Sequence, residues 1–197
     1  MIDVPWIYIK KRIQDKLIFG TDLDGVNYDF PHSWDSFLTS NGVNIDRTDA
    51  QAGLTKEEND FYMSKFLETH PYLWIPLIEG AMKSMTDISK MYKLMPTTSR
   101  GNYKYGLIDT MIRLKSDKFP YYKVSFNADK GEVAEKYHFV GFIEDFLHHA
   151  INVKIKSPET RVYLINTSYN SGDESKYDIV RVKDLGEIVK IEKSLLQ

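Results

Sequence analysis

The sequence predicts an α/β fold, with a parallel sheet covered by helices on both faces and a small helical segment inserted after the first strand. Short apolar runs alternate with segments of helical length, which is the pattern of strands joined by helical crossovers. One long interval after the first run has no strand pattern but is rich in aromatic residues. At 197 residues the chain has the length of one domain that carries a substantial insertion.

Five apolar runs are short enough to be buried strands, and they are Leu17–Phe19, Met91–Met95, Tyr121–Phe126, Val140–Ile143 and Val162–Ile165. Between them, the segment from Tyr105 to Leu114 repeats its apolar residues at helical spacing. The segment from Lys183 to Leu196 is typical of a closing helix, and the polar stretch from Asn170 to Lys176 predicts a mobile loop. The ligands of such sheets bind at the carboxyl ends of the strands.

These elements divide the chain into three parts. We assign residues 16–26 and 86–197 to the α/β core, and residues 27–85 to the helical cap insertion. Within the cap, the acidic stretch from Asp46 to Asp60 predicts a turn and the start of a helix. Most of the cap aromatics are expected to pack its own core. The N-terminal extension, residues 1–15, has no pattern that places it.

Composition excludes several classes of protein. Hydrophobic residues make up 42% of the chain and charged residues 27%, which is typical of a globular domain, and no apolar run approaches the roughly 18 residues of a membrane span. A net charge of −2 argues against a nucleic acid polymer as partner, and the lack of cysteine excludes thiolate chemistry. Without a secretion signal in the first residues, we expect a cytoplasmic protein. The oligomeric state, a homodimer included, stays open.

Two carboxylates follow the first predicted strand, in the stretch LIFGTDLDGVNYDF. Because residues i and i+2 of an extended chain point the same way, Asp22 and Asp24 can face one ligand. Gly25 allows the chain to turn sharply after them. Two such charges about 4 Å apart repel by roughly 4 kcal/mol at an effective dielectric of 20, so a divalent cation would stabilise the pair. A turn cap at Asp22 beside a solvated Asp24 explains the motif equally well.

Three further motifs stand at predicted strand ends. Thr98 and Ser99 end KLMPTTSR, Lys130 opens the helix of NADKGEVAEKY, and Glu144 and Asp145 end FIEDF. Each alone has an ordinary explanation as a helix cap or a solvated charge. The hydroxyl of the second motif is either Thr97 or Thr98. Oxygen ligands from two strand ends suit Mg²⁺. The histidines form no spaced metal set, and His148 and His149 are expected on a helix surface.

The order of the four motifs, TDLDGV, PTTSR, DKGE and FIEDF, resembles the haloacid dehalogenase-like superfamily from about residue 16 to residue 150. The resemblance implies a Rossmann-like core. Within that superfamily, DLDGVNYDF is most similar to the 5'(3')-deoxyribonucleotidases and their bacterial and phage relatives. In those enzymes a phenylalanine eight residues beyond the nucleophile stacks on the base, which corresponds to Phe30. Asn27 and Tyr28 depart from the small apolar residues that are common there.

The resemblance also implies roles for the motif residues. Asp22 would be the nucleophile that forms an aspartyl phosphate, and Asp24 the general acid and base. Thr98, with Ser99 beside it, and Lys130 would hold the phosphoryl oxygens. The metal ligands implied for Mg²⁺ are Asp22, the main-chain carbonyl of Asp24, and Asp145, with Glu144 nearby.

The expected function is therefore that of a Mg²⁺-dependent phosphomonoesterase, a 5'-nucleotidase acting on (deoxy)nucleoside monophosphates. Two alternatives stay open: hydrolysis of another small phosphate such as a sugar phosphate, and a non-catalytic phosphate- or nucleotide-binding module. The base, the sugar and the position of the phosphate, 5' or 3', are not determined by the sequence.

Overall fold

The computed structural model describes residues 17–45, 53–172 and 174–197. The N-terminal extension 1–15 lies outside these residues. So do residues 46–52 of the stretch predicted to contain a turn and a helix start, and residue 173 of the loop predicted at 170–176. All structural statements below concern the described residues.

Strands and helices alternate along the described chain as the sequence predicts. The strands are β1 (Ile18–Thr21), β2 (Lys93–Thr98), β3 (Ser125–Phe126), β4 (Phe139–Glu144), β5 (Arg161–Ile165) and β6 (Ile179–Val182). The α-helices are α1 (Phe30–Ser40), α2 (Lys56–Glu68), α3 (Ala81–Ser89), α4 (Gly106–Ser116), α5 (Lys130–Tyr137), α6 (Leu147–Lys156) and α7 (Leu185–Leu195). Two short 3₁₀ turns span Pro71–Leu73 and Ser99–Asn102.

The six strands form one sheet in the order β3-β2-β1-β4-β5-β6, and every neighbouring pair is parallel. The order reverses at β1, which lies between β2 and β4, so a ligand is expected beside the end of β1. The predicted fold class, a Rossmann-like α/β core with helices inserted after the first strand, is confirmed. The carboxyl ends of β1, β2 and β4 meet at one edge of this sheet.

Aromatic side chains fill both faces of the sheet beside β1. On one face the ring of Phe19 stacks on Tyr92 and Tyr163 at centroid distances of 5.3 and 6.3 Å. On the other face Phe139 and Phe142 stack at 5.8 Å. A Cβ on Gly20 would lie 2.3 Å from the rings of both these phenylalanines, so only glycine fits at this position in the buried strand. The two apolar layers hold β1 and the residues that follow it in place.

The two edge strands differ from the sequence prediction. Strand β3 covers only the last two residues of the predicted run Tyr121–Phe126, because the Tyr121 amide bonds back to Phe119 just after Pro120 and regular pairing with β2 begins only at Ser125. Strand β6 was not predicted. Strand β6 is four residues long and lies half-buried at the edge of the sheet. Because an edge strand of this kind does not need a continuous apolar run, its sequence lacks the pattern that predicts a buried strand.

Helices α1 and α2 lie between β1 and β2 in the chain, where the sequence predicts the helical cap. The start of α2 has a capping box, in which Thr55 and Glu58 satisfy each other's backbone amides. Phe66 of α2 is fully buried, and Trp34 and Phe37 of α1 pack on it at 5.4 and 5.1 Å. The predicted boundary at residue 85 falls within α3, which packs against α7. No helix in the described ranges is both long and apolar enough to span a membrane.

Candidate active site

The four motifs predicted from the sequence meet at the carboxyl edge of the sheet. Asp22 follows β1, Ser99 follows β2, Lys130 begins α5 and Asp145 follows β4. All four line one central cavity of about 170 Å³, together with Asp24 and Phe30. The parallel topology thus brings residues that are more than a hundred positions apart in the chain to a single site.

Lys130 joins the first and last motifs. Its Nζ lies 3.0 Å from Oδ2 of Asp22 and 2.7 Å from Oε2 of Glu144. All three side chains are buried, and Oε1 of Glu144 also accepts hydrogen bonds from the amides of Asp145 and Phe146. A solvated surface lysine, the ordinary alternative at this position, is therefore wrong. Although burial opposes its charge, the two carboxylates hold the pKa of Lys130 above its usual value, so it stays a cation.

Asp24 pairs with a residue that the sequence analysis did not select. Arg100 donates from Nη2 to Oδ1 of Asp24 at 2.6 Å and from Nε to Oδ2 at 2.9 Å, which is a bidentate pair. The guanidinium is buried and lies over the rings of Tyr28 and Tyr72, at 5.1 and 4.3 Å from their centroids. The guanidinium fixes the position of the Asp24 carboxylate. The Asp24 side chain lines the cavity and is 25% exposed.

Asp145 is buried with only half of its carboxylate satisfied. Oδ2 accepts a hydrogen bond from the Tyr169 hydroxyl at 2.7 Å, whereas Oδ1 has no partner among the described residues. The same Oδ2 also packs against Gly25, where a Cβ would lie 1.9 Å from it. The φ of +71° at Gly25 also favours glycine, so this residue serves both the turn and the close approach.

The electrostatics of the site indicate room for a cation. Asp22, Glu144 and Asp145 each present an oxygen within 4.8 Å of the others. Burial raises the pKa of Asp22 to about 7, opposed by Lys130 and reinforced by Glu144 and Asp24. Burial, and then the neighbouring Glu144 and Asp22, raises the pKa of Asp145 well above its usual value. Such buried, destabilised carboxylates with an unpaired oxygen fit a hard divalent cation.

Glu144 has different surroundings from the other two acids of this cluster. Burial disfavours its charge, but Lys130 and the hydrogen bonds it accepts outweigh burial and lower its pKa. When all four carboxylates of the site, counting Asp24, are ionised, the two buried cations Lys130 and Arg100 leave a net charge of −2. A divalent ion would balance that charge.

The hydroxyl groups of the second motif occupy different positions. Ser99 lines the cavity. Thr98 is buried behind it, where Oγ1 accepts a hydrogen bond from the Arg100 amide, and Thr97 directs its hydroxyl to the carbonyl of Met95. Thr98 still has its own proton to donate. The assignment of Thr98 rather than Thr97 to the phosphoryl group stays a prediction.

Phe30 lies at the wall of the cavity and is part of the cap core as well. Its ring packs edge-on against Phe66 at 5.6 Å and stacks on Tyr72 at 6.2 Å. Two wider clefts adjoin the cavity. One of about 630 Å³, which we name the tyrosine cleft, is lined by Tyr72, Tyr103 and Tyr105. The other, of about 720 Å³, is lined by Phe30, Phe146 and Tyr169 among others.

His149 does not lie on the open helix surface, where both histidines of α6 were expected. It is half-buried and lines the cavity, and burial together with nearby Lys130 lowers its pKa to about 4. His148 is exposed as expected. The prediction for His149 is wrong because α6 starts directly beside the site, so its first turn faces the cavity on one side.

Sequence reasoning missed several site residues, because their roles depend on tertiary contacts. Arg100 directly follows the motif hydroxyls, but nothing in the sequence shows that it reaches Asp24. Asn27, noted only as a departure, donates to the carbonyl of Asp22 at 2.6 Å and to Thr21 at 2.9 Å. Tyr169 lies in the loop after β5. The one available signal for Arg100 is its position directly after the hydroxyl motif PTTS at the end of a predicted strand.

Comparison with solved structures identifies the fold. A haloacid dehalogenase-like family hydrolase from Streptococcus pneumoniae superimposes with a TM-score of 0.64 at 13% identity, covering 91% of this chain and 99% of that one. The haloacid dehalogenase-like hydrolase YfnB from Bacillus subtilis, described as bound to magnesium, gives 0.57 at 13%, covering 90% and 98%. The L-2-haloacid dehalogenase from Xanthobacter autotrophicus gives 0.56 at 11%, covering 91% and 98%.

Sequence comparisons gave no match. No protein-family model matches the chain, and no curated protein matches it. The solved structures show that the chain has the fold of the haloacid dehalogenase-like hydrolases, and they show nothing finer than the fold.

Proposed function

We propose that this protein is a Mg²⁺-dependent phosphomonoesterase that works through an aspartyl phosphate and acts on nucleoside monophosphates. The observation that carries the proposal is the buried, incompletely paired acid cluster of Asp22 and Asp145 beside Lys130 and the arginine-held Asp24. A buried carboxylate that lacks partners destabilises the fold, so its presence in a cavity favours a functional role.

The residues of the cavity suit the two chemical steps. An Asp22 oxygen attacks phosphorus as the bond to the leaving oxygen breaks, and Asp24 gives that oxygen a proton. Water then attacks phosphorus, its proton passes to Asp24, and the bond between phosphorus and Asp22 breaks to release phosphate. Both Asp24 oxygens accept from Arg100, but each keeps a second lone pair for the proton.

The remaining groups hold the phosphoryl oxygens and the cation. Lys130 contacts Asp22 and can donate to an oxygen of the bound phosphoryl group, as can the hydroxyls of Ser99 and Thr98. Asp22, Asp145 and the main-chain carbonyl of Asp24 would hold Mg²⁺, with Glu144 beside them. Bound Mg²⁺ would neutralise the charge that develops on the transferred phosphoryl group.

The tyrosine cleft supports a nucleoside as the leaving group. The central cavity, about 170 Å³, accommodates a phosphoryl group, whereas a nucleoside needs the adjoining space. The cleft opens on the side of Asp24, since Arg100 lies over Tyr72 and the rings of Tyr72 and Tyr103 are 6.4 Å apart. Tyr103 is 38% exposed there and offers a surface for stacking. Each stacked base contributes roughly 1–3 kcal/mol.

One assay distinguishes the proposed activity from three alternative functions. Some neighbours are L-2-haloacid dehalogenases by description, but a departing halide needs no proton, and such a reaction leaves Asp24 and the cation cluster without a role. Sugar phosphates would need the same core residues but not an aromatic cleft. A binding module would need no acid and base.

The test is phosphate release from nucleoside monophosphates, sugar phosphates and p-nitrophenyl phosphate, with Mg²⁺ or with EDTA, beside halide release from 2-haloacids. We expect Mg²⁺-dependent phosphate release with the highest kcat/KM for a nucleoside monophosphate. Turnover of 2-haloacids without metal, or no turnover of any phosphate ester, would contradict the proposal.

A substitution in the tyrosine cleft tests the leaving group. Replacing Tyr103 with alanine should raise KM for a nucleoside monophosphate about tenfold, because a stacking surface is lost, and should affect p-nitrophenyl phosphate less. Tyr122→Ala is the control. Tyr122 belongs to the α/β core domain, is 59% exposed and lines none of the three cavities. Equal effects of the two substitutions would argue against a nucleoside in this cleft.

A further inference from the structure

The loop after β5 contacts the acid cluster through Tyr169. The Tyr169 hydroxyl donates to Oδ2 of Asp145 at 2.7 Å, and its ring packs on Phe146 at a centroid distance of 5.3 Å. A Cβ on Gly25 would lie 2.9 Å from the same hydroxyl oxygen. The Asp145 carboxylate is therefore held between the backbone at Gly25 and the phenol of Tyr169, with Oδ1 as its unpaired atom.

The same loop also holds the main chain of Asp145. Nδ2 of Asn170 donates to the Asp145 carbonyl at 2.8 Å, and Oδ1 of Asn170 accepts from the Thr167 amide at 3.1 Å. Arg181 on β6 donates to Oδ1 of Asn170 at 2.8 Å and pairs with Glu174 at 2.7 Å. Asn170 itself is buried. A chain of hydrogen bonds thus runs from the edge strand β6 to the acid at the end of β4.

We infer that Tyr169 is a positioning residue, which orients the Asp145 carboxylate so that Oδ1 faces the divalent cation. The inference rests on the proposed function for the identity of the cation. Its physical basis is that a carboxylate fixed by a hydrogen bond on one oxygen loses less conformational freedom when its other oxygen binds a metal. Without the phenol, the Asp145 carboxylate would lose the hydrogen bond that fixes its Oδ2 before the cation binds.

A second consequence follows from thermodynamic reciprocity. If the Tyr169 contact favours cation binding, then the cation must favour the Tyr169 contact to the same degree. Binding of Mg²⁺ should therefore stabilise the loop that carries Tyr169 and Asn170, relative to the metal-free protein.

The experiment measures binding of Mg²⁺ alone, by calorimetry on the purified full chain without substrate. Tyr169→Phe removes the hydroxyl and keeps the ring that packs on Phe146. We expect its Kd for Mg²⁺ to rise about tenfold, the lower end of the effect typical of residues that orient a metal ligand. Tyr163→Phe is the matched control, since its hydroxyl also donates to a buried carboxylate, Glu192, at 2.6 Å, but away from the site. The Kd of Tyr163→Phe for Mg²⁺ should equal that of the unmodified chain.

Hydrogen exchange of the unmodified chain supplies a readout that needs no substitution. Amides of residues 166–172 should exchange more slowly when Mg²⁺ is added. An unchanged Kd in Tyr169→Phe, or unchanged exchange of this segment, would overturn the inference while leaving the proposed function in place. Absence of Mg²⁺ binding by the unmodified chain would overturn both.

Discussion

Two buried acidic centres of this protein differ in how fully their oxygens are paired. Glu192 of α7 is completely buried and accepts four hydrogen bonds, from the hydroxyls of Tyr92 and Tyr163 at 2.7 and 2.6 Å and from Arg161 at 3.0 and 2.9 Å. Asp145 is equally buried but has one hydrogen-bonded oxygen and one without a partner among the described residues. Both centres flank the same sheet.

Under the proposed function, the difference separates a structural acid from one that binds the cation. A buried carboxylate whose oxygens are all satisfied contributes to the fold and offers nothing to a ligand. A buried carboxylate with an unpaired oxygen in a cavity lowers the stability of the fold until that oxygen binds a cation or a substrate. The comparison therefore predicts opposite responses at the two centres.

The largest expected effect is on catalysis. Asp22→Asn should lower kcat at least about a thousandfold, because the amide cannot attack phosphorus, while the protein stays folded. Steady-state phosphate release measures this effect. Asp87→Asn is the control, because Asp87 pairs with Lys90 at the end of α3 and lines none of the three cavities. Activity of Asp22→Asn near that of the control would exclude the covalent route.

A matched pair of charge removals tests the comparison itself. Glu192→Gln should lower the free energy of unfolding by about 3 kcal/mol, because it breaks the pair with Arg161 and disturbs two tyrosine hydrogen bonds. Asp145→Asn should leave the stability of the metal-free protein equal or higher, because it removes an uncompensated charge. Urea denaturation in EDTA measures both. Equal destabilisation by the two substitutions would remove the distinction between the centres.

A smaller effect is expected at the pair that holds Asp24. Arg100→Lys keeps the charge but loses the bidentate contact, so it should misplace Asp24 and reduce kcat about tenfold or more for alkyl phosphates. The loss should be less for p-nitrophenyl phosphate, whose leaving group needs little help from an acid. A uniform loss with both substrates would show that Arg100 supports the fold and does not position the acid.

The smallest expected effect is the dependence of stability on pH in the metal-free protein. The pKa of Asp22 rises from 3.8 to about 7 on folding, mainly through burial, in surroundings that include Lys130, Glu144 and Asp24. The folded state therefore binds more protons than the unfolded state between these values, and the free energy of unfolding should fall as pH rises from about 4 to about 7.

Asp145 contributes to the pH dependence in the same direction, whereas the lowered pKa of Glu144 contributes in the opposite direction at lower pH. Urea denaturation at several pH values in EDTA measures the sum. Asp22→Asn should flatten the profile, and added Mg²⁺ should raise stability at the upper end. Stability that increases steadily through this range without metal would contradict the assignment of Asp22 as a destabilised buried acid.

The fold was predictable from the sequence to the extent that local patterns determine it. Apolar runs located β1, β2, β4 and β5, and spacing located α4 and α7. The edge strand β6 was missed because a short half-buried strand has no distinctive pattern, and the length of β3 was overestimated because Pro120 and local bonding delay its pairing.

The site was predictable where chain order and topology suffice. Parallel strands bring their carboxyl ends together, so Asp22, Lys130 and Asp145 meet as expected. Arg100 pairs with Asp24, and Tyr169 pairs with Asp145. Both contacts join residues that are far apart in the chain, so no local sequence pattern predicts them. For the same reason Glu192 could not be recognised in the sequence as a fully paired buried acid.

The most direct test is to look for a phosphoryl group on Asp22. The protein is mixed with Mg²⁺ and a nucleoside monophosphate, quenched in acid within one turnover, and analysed by peptide mass spectrometry. We expect a phosphorylated peptide that contains Asp22 and is absent in Asp22→Asn. Phosphate release without any such peptide, or the modification of another residue, would contradict the central role assigned to Asp22.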